Sequence, residues 1–332
     1  MTGPSPYPLV SIIVTSYNYA PFLRDAVDSA LAQDYQHTEV IVVDDGSTDA
    51  SRQILAAYRG RVHLHFKENG GQSSSVNAGY RACRGELIMT LDADDVLEPN
   101  AVSSVVRAWT PDLIEVHFPL KLINQDGSLR PGLTPSARIA SGDIASILLQ
   151  NGRYIGPPSS GNVYSRTVLD AIMPIPEETW SHSDAYLETL TPFYGRVLAL
   201  DEPLARYRIH SSNFSGVTGV DRLKMLIHHD RLQDELLTGY CLKHNLPFQS
   251  GAGLSHWGHL KLLLALDRAV NSPTLAQASR EFVRSVWRSQ GELNLIKKIG
   301  LTIWAWATAL LPGRSGKALM WLAFSRPQFL RL

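Results

Sequence analysis

The 332-residue sequence has only two cysteines, Cys83 and Cys241, and neither lies in a CxxC pair. That excludes a disulfide framework and fits a reducing compartment. Charge of one sign is also lacking: 31 Lys and Arg oppose 31 Asp and Glu. No global field therefore recruits nucleic acid, and none is expected as a partner. No apolar run reaches the ~20 residues that a spanning helix needs. The first residues, Met1 to Pro8, lack the basic start and apolar stretch of a signal peptide, so a cytoplasmic chain is expected. No GxGxxG follows the first apolar run, which argues against a nicotinamide-dependent enzyme. The same position, Thr15 to Asn18, lacks the glycine-rich basic loop of a nucleotidyltransferase. Internal repeats and long low-complexity tracts are absent as well. What is present is the composition of an ordinary globular protein, 44% hydrophobic and 19% charged.

The first hundred residues alternate strand and helix patterns. Leu9–Thr15, Glu39–Val43, Val62–Phe66 and Glu86–Leu91 are short apolar runs that predict buried strands. Between them, Pro21–Ala32, Thr48–Tyr58 and Ser73–Cys83 have helical spacing. Such alternation implies a mostly parallel sheet covered on both faces. Ligands of such sheets sit at the carboxyl ends of the strands. The unusual polar clusters fall there: Ser16–Asn18, Asp44–Ser47, Asn69–Gln72 and Asp92–Asp95.

Each cluster has a structural and a functional explanation. Asp92 and Asp94, two apart at a strand end, repel unless a cation intervenes; Mg or Mn with substrate phosphates is the usual solution. Alternatively, Asp94 or Asp95 caps the helix that follows Pro99. Asp44, Asp45, Gly46 and Ser47 form either a capping turn or a nucleotide contact. Asn69, Gly70, Gly71 and Gln72 open a helix whose N-terminus favours phosphate.

Farther on, Leu113–Asn124 predicts one long strand or a strand pair, and Gly156–Gly161 a loop. Ser183–Tyr194 predicts a helix, and Val197–Leu200 and Leu204–Ile209 strands. From about residue 220 the pattern is helical, with a boundary placed near 218.

Together these stretches resemble the family 2 glycosyltransferases, inverting enzymes of the GT-A fold. The resemblance rests on Val10–Asn18, Glu39–Asp49, Asn69–Gly79 and Gly85–Asp95 in their order and spacing. It implies a Rossmann-like α/β domain over 1–218, with nucleotide-sugar binding over 8–110 and the acceptor side over 111–218. A helical C-terminal extension, 219–332, follows. It further implies that Thr15, Tyr17, Asp45, Asn69, Gln72 and Asp92 hold the nucleotide. Asp94 of the DxD motif and His210 of Tyr207-Arg-Ile-His210 would hold a divalent metal, Mn or Mg. Asp184 would be the catalytic base, with Gly161, Asn162 and Trp180 on the acceptor side. The family's usual acid before the base is replaced by Ser183, and Val76 stands where many relatives carry an arginine. Arg81, Arg208 or the metal alone would then balance the phosphates. The expected reaction moves a sugar, by default from a UDP-sugar, to a saccharide, lipid-linked or protein acceptor in glycan biosynthesis.

The last forty residues stand apart. Lys297, Lys298, Arg314, Lys317, Arg326 and Arg331 flank two short apolar runs that carry Trp304, Trp306 and Trp321. This pattern suits helices lying in a membrane surface, and buried helices or a homodimer contact are the alternatives.

Overall fold

The computed structural model describes residues 7–177, 183–210, 219–248, 274–288, 295–311 and 313–325. They divide into two compact units, residues 1–145 with 155–210, and residues 146–154 with 211–332. The boundary anticipated near 218 thus falls at 210, and the second unit also takes a mid-chain segment that includes most of helix α5, Ile144–Asn151.

The first unit is built on a seven-stranded sheet in the order β10-β6-β9-β4-β1-β2-β3. Strands β1 (Val10–Ser16), β2 (Thr38–Asp44), β3 (His63–Phe66) and β4 (Leu87–Asp92) are mutually parallel. β1 and β2 are β-branched runs buried almost throughout, as central strands covered on both faces must be. β3 is mostly exposed and forms an edge. Helices α1 (Leu23–Leu31), α2 (Ser51–Ala56), α3 (Gly71–Ala82) and α4 (Ala101–Ala108) connect the strands. Their buried residues, such as Leu23, Val27, Leu55 and Val102, close on Ile12, Val14, Val42 and Met89 to make the core.

Register fixes what meets at the carboxyl edge. Thr15 lies opposite both Val43 and Asp92, and Ser16 lies opposite Asp44. The residues from 113 to 124 form two strands that go to different sheets. β6 (Leu113–His117) joins the large sheet, and β7 (Leu120–Asn124) the small one. β9 (Asn162–Ser165) runs antiparallel between β4 and β6, so its first residues arrive beside the last residues of β4. β10 (Arg196–Ala199) pairs with β6 at the other edge.

The small sheet has the order β5-β11-β7-β8. β5 is only Val96–Leu97, directly after the acidic cluster, and β8 is Leu129–Thr134. Arg206 of β11 (Ala205–Ile209) lies opposite Val96, antiparallel, so the chain beyond it runs back toward Asp95 and Asp94. The segment read as one helix over 183–194 is α7 (Ser183–Leu190) followed by a short 3-10 turn; α6 is Arg166–Ile172.

In the second unit, α8 (Gly219–Lys243) precedes α9 (Leu275–Arg288), α10 (Leu295–Leu310) and α11 (Gly313–Ser325). Phe282 and Val286 of α9 pack with Leu301 and Ala305 of α10, and the Phe282 and Trp304 rings meet edge to face at 5.8 Å. Among the described residues no helix is long and apolar enough to cross a membrane.

Candidate active site

The rim begins at Asp45, which is buried and fully engaged. Its Oδ1 accepts from Lys67 Nζ at 2.5 Å and the Gly70 N–H at 3.0 Å. Its Oδ2 accepts from the Gly71 N–H at 2.7 Å and Asn69 Nδ2 at 3.2 Å. Asp45 and Asn69 therefore shape the glycine loop, and any base contact must share these oxygens. Gly46 makes the turn feasible. It sits at φ +79°, and a Cβ there would lie 2.7 Å from the Asn69 nitrogen. Asn18, itself at φ +59°, accepts from the Thr48 N–H at 2.8 Å and ties the β1 tip to the chain entering α2. Tyr17 stays 44% exposed, leaving a ring face open to a ligand.

Asp92 ends β4. Its Oδ1 accepts from Gln72 Nε2 at 2.8 Å and, weakly, from Thr15 Oγ1 at 3.5 Å. Its Oδ2 accepts from Ser159 Oγ, and its N–H donates to Ser160 Oγ at 3.1 Å. Burial, and then the charge of Asp94, push the Asp92 carboxyl well above the ordinary carboxylate range. Asp95 is displaced the same way by burial, Asp94 and Asp92; its Oδ1 accepts from the Arg208 N–H, and its Oδ2 has no hydrogen-bond partner. Neither Asp94 nor Asp95 caps α4: Asn100 holds the N-cap position, with no side-chain cap bond. The capping explanation of the acidic cluster thus fails. Asp94 and Asp95 are instead buried in one turn with Asp92, and the charge of Asp94 raises the cost of ionising the other two.

Asp94 Oδ2 meets His210 Nε2 at 2.9 Å, and both side chains are buried. The imidazole is held between Phe22, at 4.7 Å between ring centres, and Tyr19, edge on at 5.8 Å. Burial and Asp94 raise the Tyr19 phenol far above its usual value. No group of three or more possible ligands forms a cage among the described residues. A carboxylate and an imidazole beside crowded acids fit a divalent ion that takes its remaining ligands from phosphate oxygens and water.

The base candidate stands close by. Asp184, in the first turn of α7, is half-buried, and its Oδ1 accepts from the Ala185 N–H at 2.8 Å. Its charge also adds to the upward displacement of Asp92. Gln72 links the two elements, because its Oε1 accepts from the Ser183 N–H at 3.3 Å. Trp180 lies outside the described residues.

Gly161 and Asn162 are buried, and Asn162 Nδ2 donates to the Pro158 carbonyl at 3.1 Å. A Cβ on Gly161 would meet the Phe118 oxygen at 2.6 Å, so this glycine allows a tight turn. That turn presents Ser159 and Ser160 to Asp92, and neither serine was singled out from sequence. Arg208 is not a phosphate cation. It is 2% exposed in its side chain, lies over the Phe22 ring, and donates to the Asp94 carbonyl, the Gln125 carbonyl and Asp25. Arg81 lies in the last turn of α3, about 15 Å along the axis from Gly71. A cation at the strand tips is Lys67, paired with Asp45, whose only sequence signal is its place after β3.

Comparison with known proteins agrees with this geometry. Residues 11–125 match the profile "Glycosyl transferase family 2". An uncharacterized glycosyltransferase of Nostoc sp. is 37% identical over 212 residues, which is 61% of this chain and 66% of that protein. An uncharacterized glycosyltransferase of Rickettsia typhi is 45% identical over 100 residues, but these are 30% of this chain and 31% of that one. The matches thus span just under two thirds of the first relative and about a third of the second. Among solved structures, S. aureus TarS 1–349 in complex with UDP-GlcNAc superposes with a TM-score of 0.56 at 17% identity, covering 90% of each chain. Mannosyltransferase PcManGT from Pyrobaculum calidifontis, in complex with GDP-Man and Mn2+, gives 0.51 at 16% identity, covering 99% of this chain and 90% of that one. With its glycine loop, acidic strand ends and mixed sheet in that order, the chain matches glycosyl transferase family 2 over residues 11–125 and has the GT-A fold.

Proposed function

We propose that the chain transfers a sugar from a nucleoside diphosphate sugar, a UDP-sugar by default, to an acceptor hydroxyl with inversion at the anomeric carbon. The carrying observation is the gathering of Asp92, Asp94, His210 and Asp184 at one sheet edge, beside the glycine loop that Asp45 anchors. Glycine N–H groups and the start of α3 suit a diphosphate. Tyr17 suits the face of a base.

Asp184 takes the proton of the acceptor hydroxyl as that oxygen attacks, and the nucleoside diphosphate leaves from the opposite side. A divalent cation held by Asp94 and His210 would offset the charge that grows on the leaving diphosphate. Gln72 and Ser159 fix the orientation of Asp92, so that its oxygens need not reorganise during transfer. The acceptor belongs to polysaccharide or other glycoconjugate synthesis.

The test is a thermal-shift series with UDP, GDP and dTDP, each with and without Mn2+. A carrier present at a hundred times its Kd stabilises by about 2.7 kcal/mol. UDP with Mn2+ is expected to raise the midpoint most, and Asp94→Ala to remove the metal-dependent part. No response to any carrier would overturn the reading; a larger response to GDP would change the donor and leave the chemistry standing.

A further inference from the structure

Helix α10 has two apolar faces. Leu301, Ala305 and Thr308 are buried, the first two against α9. The opposite side carries Ile296, Ile299, Ile303 and Leu310, which are 81%, 44%, 63% and 75% exposed. Their spacing puts them on one line along the helix, and the half-buried Trp306 falls on that line too. Scattered exposed aliphatics need no explanation, but an unbroken stripe along a helix does.

Charge segregates to the same stretch. The chain is neutral overall, with 31 residues of each sign, yet 293–332 contains basic residues and no Asp or Glu. Lys297, Arg314 and Lys317 are solvent-accessible in the same stretch. With 16 residues, α10 is about 24 Å long, short of the ~30 Å hydrocarbon core.

We propose that this stripe docks α10 in the plane of an anionic lipid surface. The aliphatic line would enter the boundary between headgroups and acyl chains, and the basic residues would face lipid phosphates. A second copy of the chain fits less well: a two-fold contact through the stripe brings together two copies of a segment that has basic residues and no acid. Each feature also matches its lipid counterpart, since an apolar strip without acids meets hydrocarbon and a surrounding cationic field meets anionic headgroups. The inference is independent of the proposed transfer reaction.

Flotation of the full chain tests it, on vesicles of phosphatidylcholine alone or with about one third phosphatidylglycerol. The chain should float with the anionic vesicles and only weakly with the neutral ones. Added salt should weaken the binding. Ile299→Asp with Ile303→Asp should reduce binding roughly tenfold or more. Lys297→Glu with Lys298→Glu should abolish the preference for anionic lipid. Ile296→Asp, at the most exposed position, provides a second variant if the double change disturbs folding, as checked by circular dichroism and the thermal midpoint. The proposal fails if the chain ignores anionic vesicles, or if folded stripe variants bind as well as the parent. It also fails if light scattering shows a dimer that Ile299→Asp with Ile303→Asp dissociates, without vesicle binding.

Discussion

Gln72 holds Asp92 from one end of its amide and the base helix from the other: Nε2 donates to Asp92 Oδ1 at 2.8 Å, while Oε1 accepts from the Ser183 N–H at 3.3 Å. The first residue of α3 after the glycine pair thereby couples the acid at the end of β4 to the start of α7. A glutamate there could still accept from Ser183 but would repel Asp92. A leucine would serve neither. Gln72→Leu is therefore expected to lower kcat by about tenfold to a hundredfold, the cost of a slightly misplaced base. The donor KM should change less. Gln72→Glu should be at least as damaging. Steady-state kinetics of transfer check this, and an unchanged kcat in both variants would refute the coupling.

Much of this rim is visible in sequence because each part ends a strongly patterned element. β1, β2 and β4 are apolar runs that stop at Thr15, Asp44 and Asp92, so an acid just past the run is marked by contrast. Other parts depend on pairings that no local pattern encodes. Ser159 reaches Asp92 only because β9 inserts antiparallel beside β4, a partner 67 residues away. His210 reaches Asp94 because the two-residue strand β5 pairs with β11. Arg208, an arginine on a short strand, looks surface-bound from its neighbours alone; its burial follows from the same pairing. Lys67 was missed because a lysine after an edge strand is an ordinary solubilising residue.

Asp184→Asn should abolish transfer while leaving nucleotide binding in place. The amide keeps the shape of the carboxylate and can still accept from the Ala185 N–H, so α7 should keep its first turn. It cannot take up the acceptor proton, and general-base losses are typically about a hundredfold to ten-thousandfold. A stopped assay with a retained nucleotide-induced thermal shift is the expected pair of results. Full turnover in the variant would move the base to another residue.

Arg208→Met is expected to destabilise the first unit by about 2 kcal/mol. Removing the guanidinium strands the Asp94 and Gln125 carbonyls, which are costly to leave unpaired. The ion pair with Asp25 adds little, because the Asp25 side chain is 57% exposed and water screens it. Methionine retains part of the contact with Phe22. Chemical denaturation of both proteins measures the difference, and Arg208→Lys should recover only a fraction because one ammonium cannot reach all three acceptors. Equal stability would mean that the carbonyls find water.

Glu188 offers a test through pH. It lies one helical turn after Asp184, and burial, then Asp184, then Glu115 of β6 raise its carboxyl well above the usual range. Tyr164 of β9 faces the same cluster, and its phenol is raised by burial and by these acids. Below about pH 4 both folded and unfolded chains carry Glu188 protonated, so it imposes no cost. As pH rises, the unfolded chain ionises first and gains solvation that the folded chain forgoes. Stability linked to this group is therefore present in acid and lost as pH climbs toward the folded value. Glu188→Gln cannot ionise and escapes the loss. Its thermal midpoint should match the parent near about pH 4 and exceed it near about pH 8. Midpoints measured across that range decide the matter: a constant difference would show that Glu188 ionises alike in both states.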